Sequence, residues 1–153
     1  MRIIAIDPGT KRTGYSVFEV NNSSSRLAEC GTVFVRGKDL PAKLLAVHRG
    51  VERLFRRLKP RQVVIERPFA GKNVRDAMTL NSARAVCMLA AAVIHARVFE
   101  YAPSQVKKAV TGDGNATKDK VNLYVSATLG LRQAPEPDTA DAIALAICHL
   151  NRL

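Results

Sequence analysis

Two carboxylates follow short apolar runs, at the points where buried strands would end. Asp7 comes directly after residues 3–6, and Glu66 comes directly after residues 63–65. If these two runs are neighbouring parallel strands, both carboxylates open into one crevice at the strand ends, where α/β proteins usually bind ligands. The spacing therefore predicts a pair of acidic side chains at one edge of a sheet.

A second pair of carboxylates begins a helix near the end of the chain. Asp138 and Asp141 are three residues apart, so a helix presents both on one face. Residues 142–147 are apolar nearly all round, which indicates that this helix is buried. Carboxylates gathered in a partly buried site repel one another, and divalent cations relieve that repulsion. Mg²⁺ prefers oxygen ligands, and two such ions about 3.5–4 Å apart activate water and stabilise the leaving oxygen in phosphodiester cleavage.

Each acid also has a simpler interpretation. Asp138 fits the N-cap of the last helix, and the helix dipole favours Asp141 in its first turn. Asp7 precedes Pro-Gly and fits a turn residue, and Glu66 precedes Arg67 and fits a surface ion pair. Each alternative is plausible singly, but four acids together at element ends favour a carboxylate metal site.

The charge of the chain indicates a polyanionic partner. The 153 residues include 24 Lys and Arg against 13 Asp and Glu, a formal net charge of +11. Lys107 and Lys118 stand on either side of a glycine loop and suit phosphate as point charges, whereas a solvated helix face suits their neighbours Lys108 and Lys120 better. A further basic run is interpreted as the solvated face of the first helix and is not assigned to DNA: Arg53, Arg56, Arg57, Lys59 and Arg61.

One aromatic residue lies among basic side chains just beyond the second acidic strand end. Phe69 is flanked by Arg67, Lys72 and Arg75. An aromatic side chain in such surroundings can stack on an exposed base. The alternative is a core aromatic that covers the edge of the sheet, and the residues by themselves favour that alternative.

The hydrophobic pattern predicts one mixed α/β sheet with helices on both faces. Strands are predicted at residues 3–6, 15–20, 31–35, 63–65 and 98–101, and helices at about 39–59, 74–96, 104–110, 118–129 and 138–152. The first three strands form an antiparallel meander, and helices follow the third, fourth and fifth strands. No linker interrupts the pattern, so residues 1–153 are predicted to form a single domain.

Several classes of protein are excluded. The longest apolar run, residues 86–94, is too short to span a membrane, and an acid at position 7 argues against a signal peptide. Three cysteines without CxxC spacing support neither a disulfide framework nor a zinc ribbon, so we expect three buried thiols in a reducing cytoplasm. Neither glycine motif completes a nucleotide-binding P-loop.

Short motifs throughout the chain match one known family in order and at its spacings. They are Ile6-Asp7-Pro8-Gly9-Thr10, Thr13-Gly14-Tyr15, Ile65-Glu66 with Phe69 and Lys72-Asn73, Glu100-Tyr101-Ala102-Pro103, residues 106–112, and residues 138–142. In these residues the chain resembles the RuvC family of bacterial Holliday junction resolvases. The resemblance implies a ribonuclease-H-like fold and a homodimeric, Mg²⁺-dependent endonuclease. Such an enzyme resolves four-way DNA junctions by symmetric nicking during recombination and repair.

The resemblance also implies roles for particular residues. The family's catalytic metal ligands fall on Asp7, Glu66, Asp138 and Asp141, which would hold two Mg²⁺ per subunit, with Mn²⁺ as a substitute. Its DNA-contacting residues fall on Phe69, Lys107 and Lys118, to which we add Lys72. The helix that begins near Asn73 corresponds to the family's dimer contact. A branch-migration motor complex is the further partner implied, with no membrane association and a cytoplasmic location.

Two other functions share part of this pattern. A ribonuclease-H-like enzyme that acts on RNA would share the Asp-Pro-Gly-Thr opening. A non-catalytic junction-binding protein would present the same basic residues, but the complete acidic quartet argues against it. An actin-like ATPase opens similarly, yet 153 residues are too few for its two lobes.

Overall fold

Five strands form one mixed sheet. In the computed structural model, which describes residues 1–22, 24–67 and 73–153, they are β1 (Arg2–Asp7), β2 (Arg12–Val20), β3 (Ser25–Phe34), β4 (Gln62–Glu66) and β5 (Arg97–Tyr101). Their order across the sheet is β3-β2-β1-β4-β5. The pairs β1–β2 and β2–β3 are antiparallel, whereas β1–β4 and β4–β5 are parallel. The predicted meander and the predicted mixed sheet are therefore confirmed.

Among the described residues, five helices cover the two faces of this sheet. They are α1 (Leu40–Leu58), α2 (Val74–Val93), α3 (Pro103–Thr111), α4 (Lys118–Leu129) and α5 (Pro137–Leu150). Alternate side chains of β1 point to opposite faces. Ile4 and Ile6 pack in one core cluster with residues of α1 and α2, and Ile3 and Ala5 pack in another with residues of α3, α4 and α5. All four are fully buried, so the first apolar run is buried on both faces.

The helix ends follow the capping residues in the sequence. Asp39 caps α1, where its carboxylate accepts a hydrogen bond from the Ala42 backbone N–H at 2.9 Å. The predicted end of the second helix is wrong by three residues, because the chain leaves α2 after Val93 and enters a left-handed conformation at His95 with φ 58°. The second and third strands begin earlier than predicted, since their pairing extends into polar residues that lack an apolar pattern.

A buried hydrogen-bond chain ties α5 to the parallel strands. The two ring nitrogens of His149 lie 2.8 Å from the Tyr101 hydroxyl and 2.8 Å from Gln62 Oε1. A neutral imidazole protonated on Nε2 satisfies both partners, with the hydroxyl donating to Nδ1 and Nε2–H donating to the amide oxygen. At the other end of the helix, Ser16 Oγ donates to the Ala142 carbonyl at 2.8 Å. These bonds hold α5, and with it the second acidic pair, against the sheet.

The buried histidine predicts a pH dependence of stability. Burial, followed by the charges of Arg152 and Arg97, lowers the pKa of His149 below that of an exposed histidine. The unfolded chain therefore binds a proton at a pH where His149 of the folded chain is still neutral. The stability that neutral His149 contributes is lost as the pH falls below about 6.5. In urea unfolding between pH 8 and pH 5, we expect acidification to stabilise His149→Gln relative to the parent chain. His48→Gln, which removes a histidine outside this network, should follow the parent chain, and equal pH profiles for the two variants would contradict the assignment.

The expectation of three buried thiols is confirmed only in part. Cys87 and Cys148 are buried as predicted, but Cys30 is exposed, because β3 is an edge strand and alternate side chains along it face solvent. No helix within the described ranges is long and apolar enough to cross a membrane.

Candidate active site

The structure brings the four sequence-predicted carboxylates to one cavity. Because β1 and β4 are parallel and Ile6 pairs with Ile65, Asp7 and Glu66 end neighbouring strands at the same edge. The first turns of α5 lie beside that edge and add Asp138 and Asp141. Together the four side chains line a cavity of about 730 Å³, called here the acid cavity.

A glycine contact sets the distance between the sheet and α5. Gly14 is the register partner of Asp7 on β2. A Cβ built on Gly14 would lie 1.9 Å from the backbone oxygen of Asp138, so only glycine permits this approach. The loop that follows Asp7 is closed by Thr13, whose hydroxyl donates to the Gly9 carbonyl at 3.1 Å. The two acidic pairs are thus held together by backbone packing.

The electrostatics of the acid cavity disfavour four ionised carboxylates. Burial, then the charges of Glu66, Asp141 and Asp138, raises the pKa of Asp7 well above its ordinary value. Burial and the charge of Asp141 raise the pKa of Glu66 to about 7, although Lys118 acts in the opposite direction. Desolvation is the first cause in both cases, and repulsion between the acids adds to it. The site therefore holds more negative charge than its surroundings stabilise.

Basic side chains neutralise only one of the two acidic pairs. Lys118 Nζ lies 2.9 Å from Asp141 Oδ2, and Arg12 lies 3.9 Å from the Asp138 carboxylate. In the part of the chain that the structure describes, no hydrogen bond or ion pair reaches the carboxylates of Asp7 and Glu66. The negative charge of Asp7 and Glu66, the pair at the strand ends, therefore requires an external cation.

The donor set fits a hard divalent cation by its chemistry. All four side chains supply carboxylate oxygens, the ligand type that Mg²⁺ and Mn²⁺ prefer. Across the described ranges, no three His, Cys, Asp or Glu side chains lie close enough together to hold an ion directly. Asp141 is already paired with Lys118, at 2.9 Å. An ion bound by Asp141 would have to compete with that lysine.

The DNA-contact residues predicted from the sequence have different positions. Lys118, the first residue of α4, lines the acid cavity. Lys107 lies on α3, and its charge lowers the pKa of Glu66, but it does not line the cavity. Phe69 and Lys72 lie outside the described residues.

Two arginines of the cavity were missed by sequence reasoning. Arg12 begins β2 directly after the turn that follows Asp7, and this position was a signal that could have identified it. Arg84 lies in the middle of α2, where nothing in the sequence distinguishes it. It reaches the cavity because its guanidinium donates to the Glu100 carboxylate, with a distance of 2.6 Å from Nε, and to Asn81 Oδ1 at 3.0 Å.

A five-stranded mixed sheet of this order, with acids at the edge where β1 and β4 end, defines a nuclease of the ribonuclease-H-like class. The family model of crossover junction endodeoxyribonuclease RuvC matches residues 3–149. The chain belongs to this family, whose nucleases are metal-dependent.

Individual relatives are similar over nearly the whole chain. The crossover junction endodeoxyribonuclease RuvC of Chloroflexus aurantiacus is 42% identical over 151 residues, covering 97% of this chain and 92% of the relative. That of Chromohalobacter salexigens is 40% identical over 147 residues, covering 96% and 79%. These similarities confirm the resemblance drawn from the motifs.

Solved structures confirm the fold. Thermus thermophilus RuvC in complex with Holliday junction substrate superposes with a TM-score of 0.87 at 31% identity, covering 98% of this chain and 93% of that one. The fowlpox virus Holliday junction resolvase has a TM-score of 0.65 at 15% identity over 99% of each chain, a likeness of fold alone.

Proposed function

We propose that this chain is a structure-specific endodeoxyribonuclease that resolves four-way DNA junctions by symmetric, Mg²⁺-dependent nicking. The observation that carries the proposal is the acid cavity, in which the four carboxylates implied by the family motifs line one space. The bound substrate of the Thermus thermophilus relative supports junction DNA as the substrate. In this proposal residues 1–153 act as one nuclease domain in the cytoplasm.

The proposed catalytic residues are the four carboxylates of the acid cavity. Asp7, Glu66, Asp138 and Asp141 would hold two Mg²⁺, which supply an activated water and charge stabilisation at the leaving oxygen when bound. Support comes from the raised pKa values of Asp7 and Glu66, since a site that disfavours its own ionised acids is prepared to accept cations.

The basic residues would orient the scissile strand. Lys118 lies at the mouth of the acid cavity with its side chain three-quarters exposed, so its ammonium can move from Asp141 to a phosphate oxygen. Lys107 acts on Glu66 from α3 and would hold the same phosphate from the other side. Arg84 is held in place by its hydrogen bonds to Glu100, so its guanidinium has a fixed position. Such a group is suited to setting the position of the DNA backbone. Phe69 and Lys72 are proposed as DNA contacts from the sequence motif alone.

A homodimer would place two such sites on two symmetric strands. Four of the five large apolar side chains that are exposed on α2 fall on one face, namely Val74, Met78, Leu89 and Val93; the fifth, Leu80, lines the acid cavity. Their spacing matches the helical period, and such an apolar face on a basic protein favours an interface between two copies. A branch-migration motor complex is proposed as a further partner on the family resemblance alone.

Cleavage of defined substrates tests this function. A synthetic four-way junction, a linear duplex and an RNA–DNA hybrid of the same sequence are incubated with the chain, with and without Mg²⁺. We expect paired nicks in the junction only, and only with the metal. Metal-independent cutting or equal cutting of the linear duplex would overturn the proposal. Preferred cutting of the hybrid would select a ribonuclease, and binding of the junction without cutting would select a non-catalytic protein.

The lysine in the cavity makes a separate prediction. Because Lys118 pairs with Asp141, Lys118→Met should strengthen Mn²⁺ binding by up to about fivefold, the range expected for the loss of one exposed ion pair. Junction cleavage should nevertheless fall by about 10²-fold, because the charge that stabilises the phosphate is lost. Calorimetric Mn²⁺ titration and single-turnover cleavage measure the two effects. Lys120→Met, whose Nζ lies 4.0 Å from Asp113, is the matched control and should change neither.

A further inference from the structure

We propose that a groove on the outer side of α1 binds the sugar–phosphate backbone of a DNA arm beyond the cleavage site. This groove, called here the outer groove, has a volume of about 420 Å³ and is lined mainly by Phe34, Arg36, Leu45, Arg49 and Arg53. The inference rests on the proposed function, since it concerns how the same substrate continues away from the acid cavity.

The outer groove lies next to the acid cavity, with Arg12 between them. Phe34 ends β3 at the same sheet edge as Asp7, because β2 runs antiparallel to both strands. Arg12 is the register partner of Phe34, and its guanidinium carbon lies 5.8 Å from the centroid of that ring. The same guanidinium lies 3.9 Å from the Asp138 carboxylate. One arginine thus borders both sites, and a strand leaving the cavity past it meets the outer groove.

The arginines of the outer groove carry uncompensated charge. Arg36, Arg49 and Arg53 are exposed, and no ion pair joins them to an acid anywhere in residues 1–22, 24–67 and 73–153. Farther along the same helix the pattern changes: Arg56 lies 2.8 Å from Glu52, and Arg57 lies 2.6 Å from Glu29.

The residues of the basic run predicted from the sequence are all exposed, as a solvated face requires, but they differ in their partners. Arg53 belongs with Arg49, four residues earlier on the same side of α1, whereas Arg56 and Arg57 are neutralised within the fold. Guanidinium groups without internal partners are free to bind phosphates, and they do so with bidentate geometry.

The apolar residues of the outer groove favour DNA with an accessible sugar or base surface. Phe34 is 69% exposed and Leu45 is 49% exposed, although each lies among arginines. Aromatic side chains beside cations contact deoxyribose or stack on unpaired bases. An acidic peptide would also match the charge, but the position of the groove beside the acid cavity, across Arg12, favours the nucleic acid.

The helix sets the distance of these contacts from the cut. With α1 rising about 1.5 Å per residue from the catalytic edge at Leu40, Arg53 lies about 20 Å along it. A duplex strand has one phosphate per roughly 3.4 Å of axis. The outer groove should therefore contact phosphates about four to eight nucleotides from the nick.

Salt titration of paired variants tests the proposal. Binding of a four-way junction is measured by fluorescence anisotropy in Ca²⁺ at several salt concentrations for the parent chain, Arg49→Gln/Arg53→Gln and Arg56→Gln/Arg61→Gln. Each double variant loses two positive charges, but only Arg49→Gln/Arg53→Gln loses them from the outer groove. We expect Arg49→Gln/Arg53→Gln to reduce the slope of the logarithm of the binding constant against the logarithm of salt concentration by about two, and to lower affinity about tenfold. The control variant, Arg56→Gln/Arg61→Gln, should change both quantities little. Equal behaviour of the two variants would overturn the proposal.

Neutral phosphates locate the contact on the DNA. Methylphosphonate linkages four to eight nucleotides from the cleavage site should weaken binding by the parent chain but not by Arg49→Gln/Arg53→Gln. Phe34→Ser should lower affinity a few-fold without changing the salt slope. If methylphosphonates weakened DNA binding equally in the parent chain and in Arg49→Gln/Arg53→Gln, the groove would bind something other than this DNA, such as an acidic protein. Failure of the proposed function is distinct, because the parent chain would then leave the junction uncut with Mg²⁺ or cut a linear duplex equally, whatever the salt slopes of the variants.

Discussion

Asp7→Asn is expected to reduce junction cleavage by at least about 10³-fold, equivalent to about 4 kcal/mol of barrier, while junction binding persists. Asp7 is the acid whose pKa is raised by all three others, since the charges of Glu66, Asp141 and Asp138 each act on it. Asparagine keeps the shape but lacks the charge that holds a divalent cation. Removing a negative charge from the mouth of a phosphate-binding site should leave affinity for DNA unchanged or raise it.

The same substitution should make the metal-free protein more stable at pH 8. The pKa of Asp7 is raised in the folded chain, so the stability it contributes is complete below the unfolded pKa of about 3.9 and is lost as the pH rises through the folded value. Asparagine is neutral at every pH and avoids this loss. In EDTA at pH 8 we expect a higher Tm than that of the parent chain, by a margin that shrinks as the pH approaches 4.

A matched variant separates these effects from the loss of an acid in general. Asp39→Asn removes the same charge from an exposed N-cap, where asparagine caps equally well, so cleavage and Tm should both stay near the parent values. Single-turnover cleavage in Mg²⁺ and thermal melts in EDTA provide the two readouts. Full activity of Asp7→Asn, or a lower Tm than the parent at pH 8, would contradict the proposed role.

Gly14→Ala is expected to reduce cleavage by about 10²-fold although residue 14 has no side chain to contribute to the chemistry. Its Cβ would lie 1.9 Å from the Asp138 backbone oxygen and 2.4 Å from the carbonyl carbon. Backbone atoms cannot rotate away, so the first turn of α5 must move off β2 by an ångström or more. A displacement of about 1 Å is enough to cost about 10²-fold in a reaction that depends on exact placement.

The displacement would separate the two acidic pairs. Gly14 pairs with Asp7 across the β1–β2 ladder and touches Asp138 on the helix, so it spans the gap between strand and helix ligands. We expect Mn²⁺ affinity to fall together with cleavage, and the free energy of unfolding to fall by about 1–3 kcal/mol through overpacking. Both measurements are made well below the melting temperature, so that loss of activity reports the position of α5.

Another glycine of the same sheet supplies the control. In Gly31→Ala the new Cβ would meet only the side chain of Tyr15, at 3.1 Å or more, and a side chain can yield by a few tenths of an ångström. This variant should keep most of its Mn²⁺ affinity and cleavage. If Gly14→Ala retained both as well, α5 would be held by other contacts, such as the bond from Ser16 to Ala142.

Local patterns in the sequence were sufficient for much of the architecture. The apolar run before Asp7 predicted a buried strand, and the pattern from residue 39 onward predicted the first helix. These features depend on residues close together in the chain, where hydrophobic burial and backbone capping act directly. The polar beginnings of β2 and β3 were missed, because those residues are strands only through their partners across the sheet.

By itself the sequence determined which residues are acidic, that two of them end apolar strands, and that the chain carries the ordered motifs of one family. Only the tertiary structure decided which side chains share a space with them. Arg84 enters the acid cavity through Glu100, and Arg12 joins that cavity to the outer groove through Phe34. It also showed that Lys118 pairs with Asp141 and Arg12 with Asp138, whereas in the described residues no ion pair reaches Asp7 or Glu66. Charge interactions depend on distance in space, and residues far apart in the chain acquire that distance only when the sheet and helices pack.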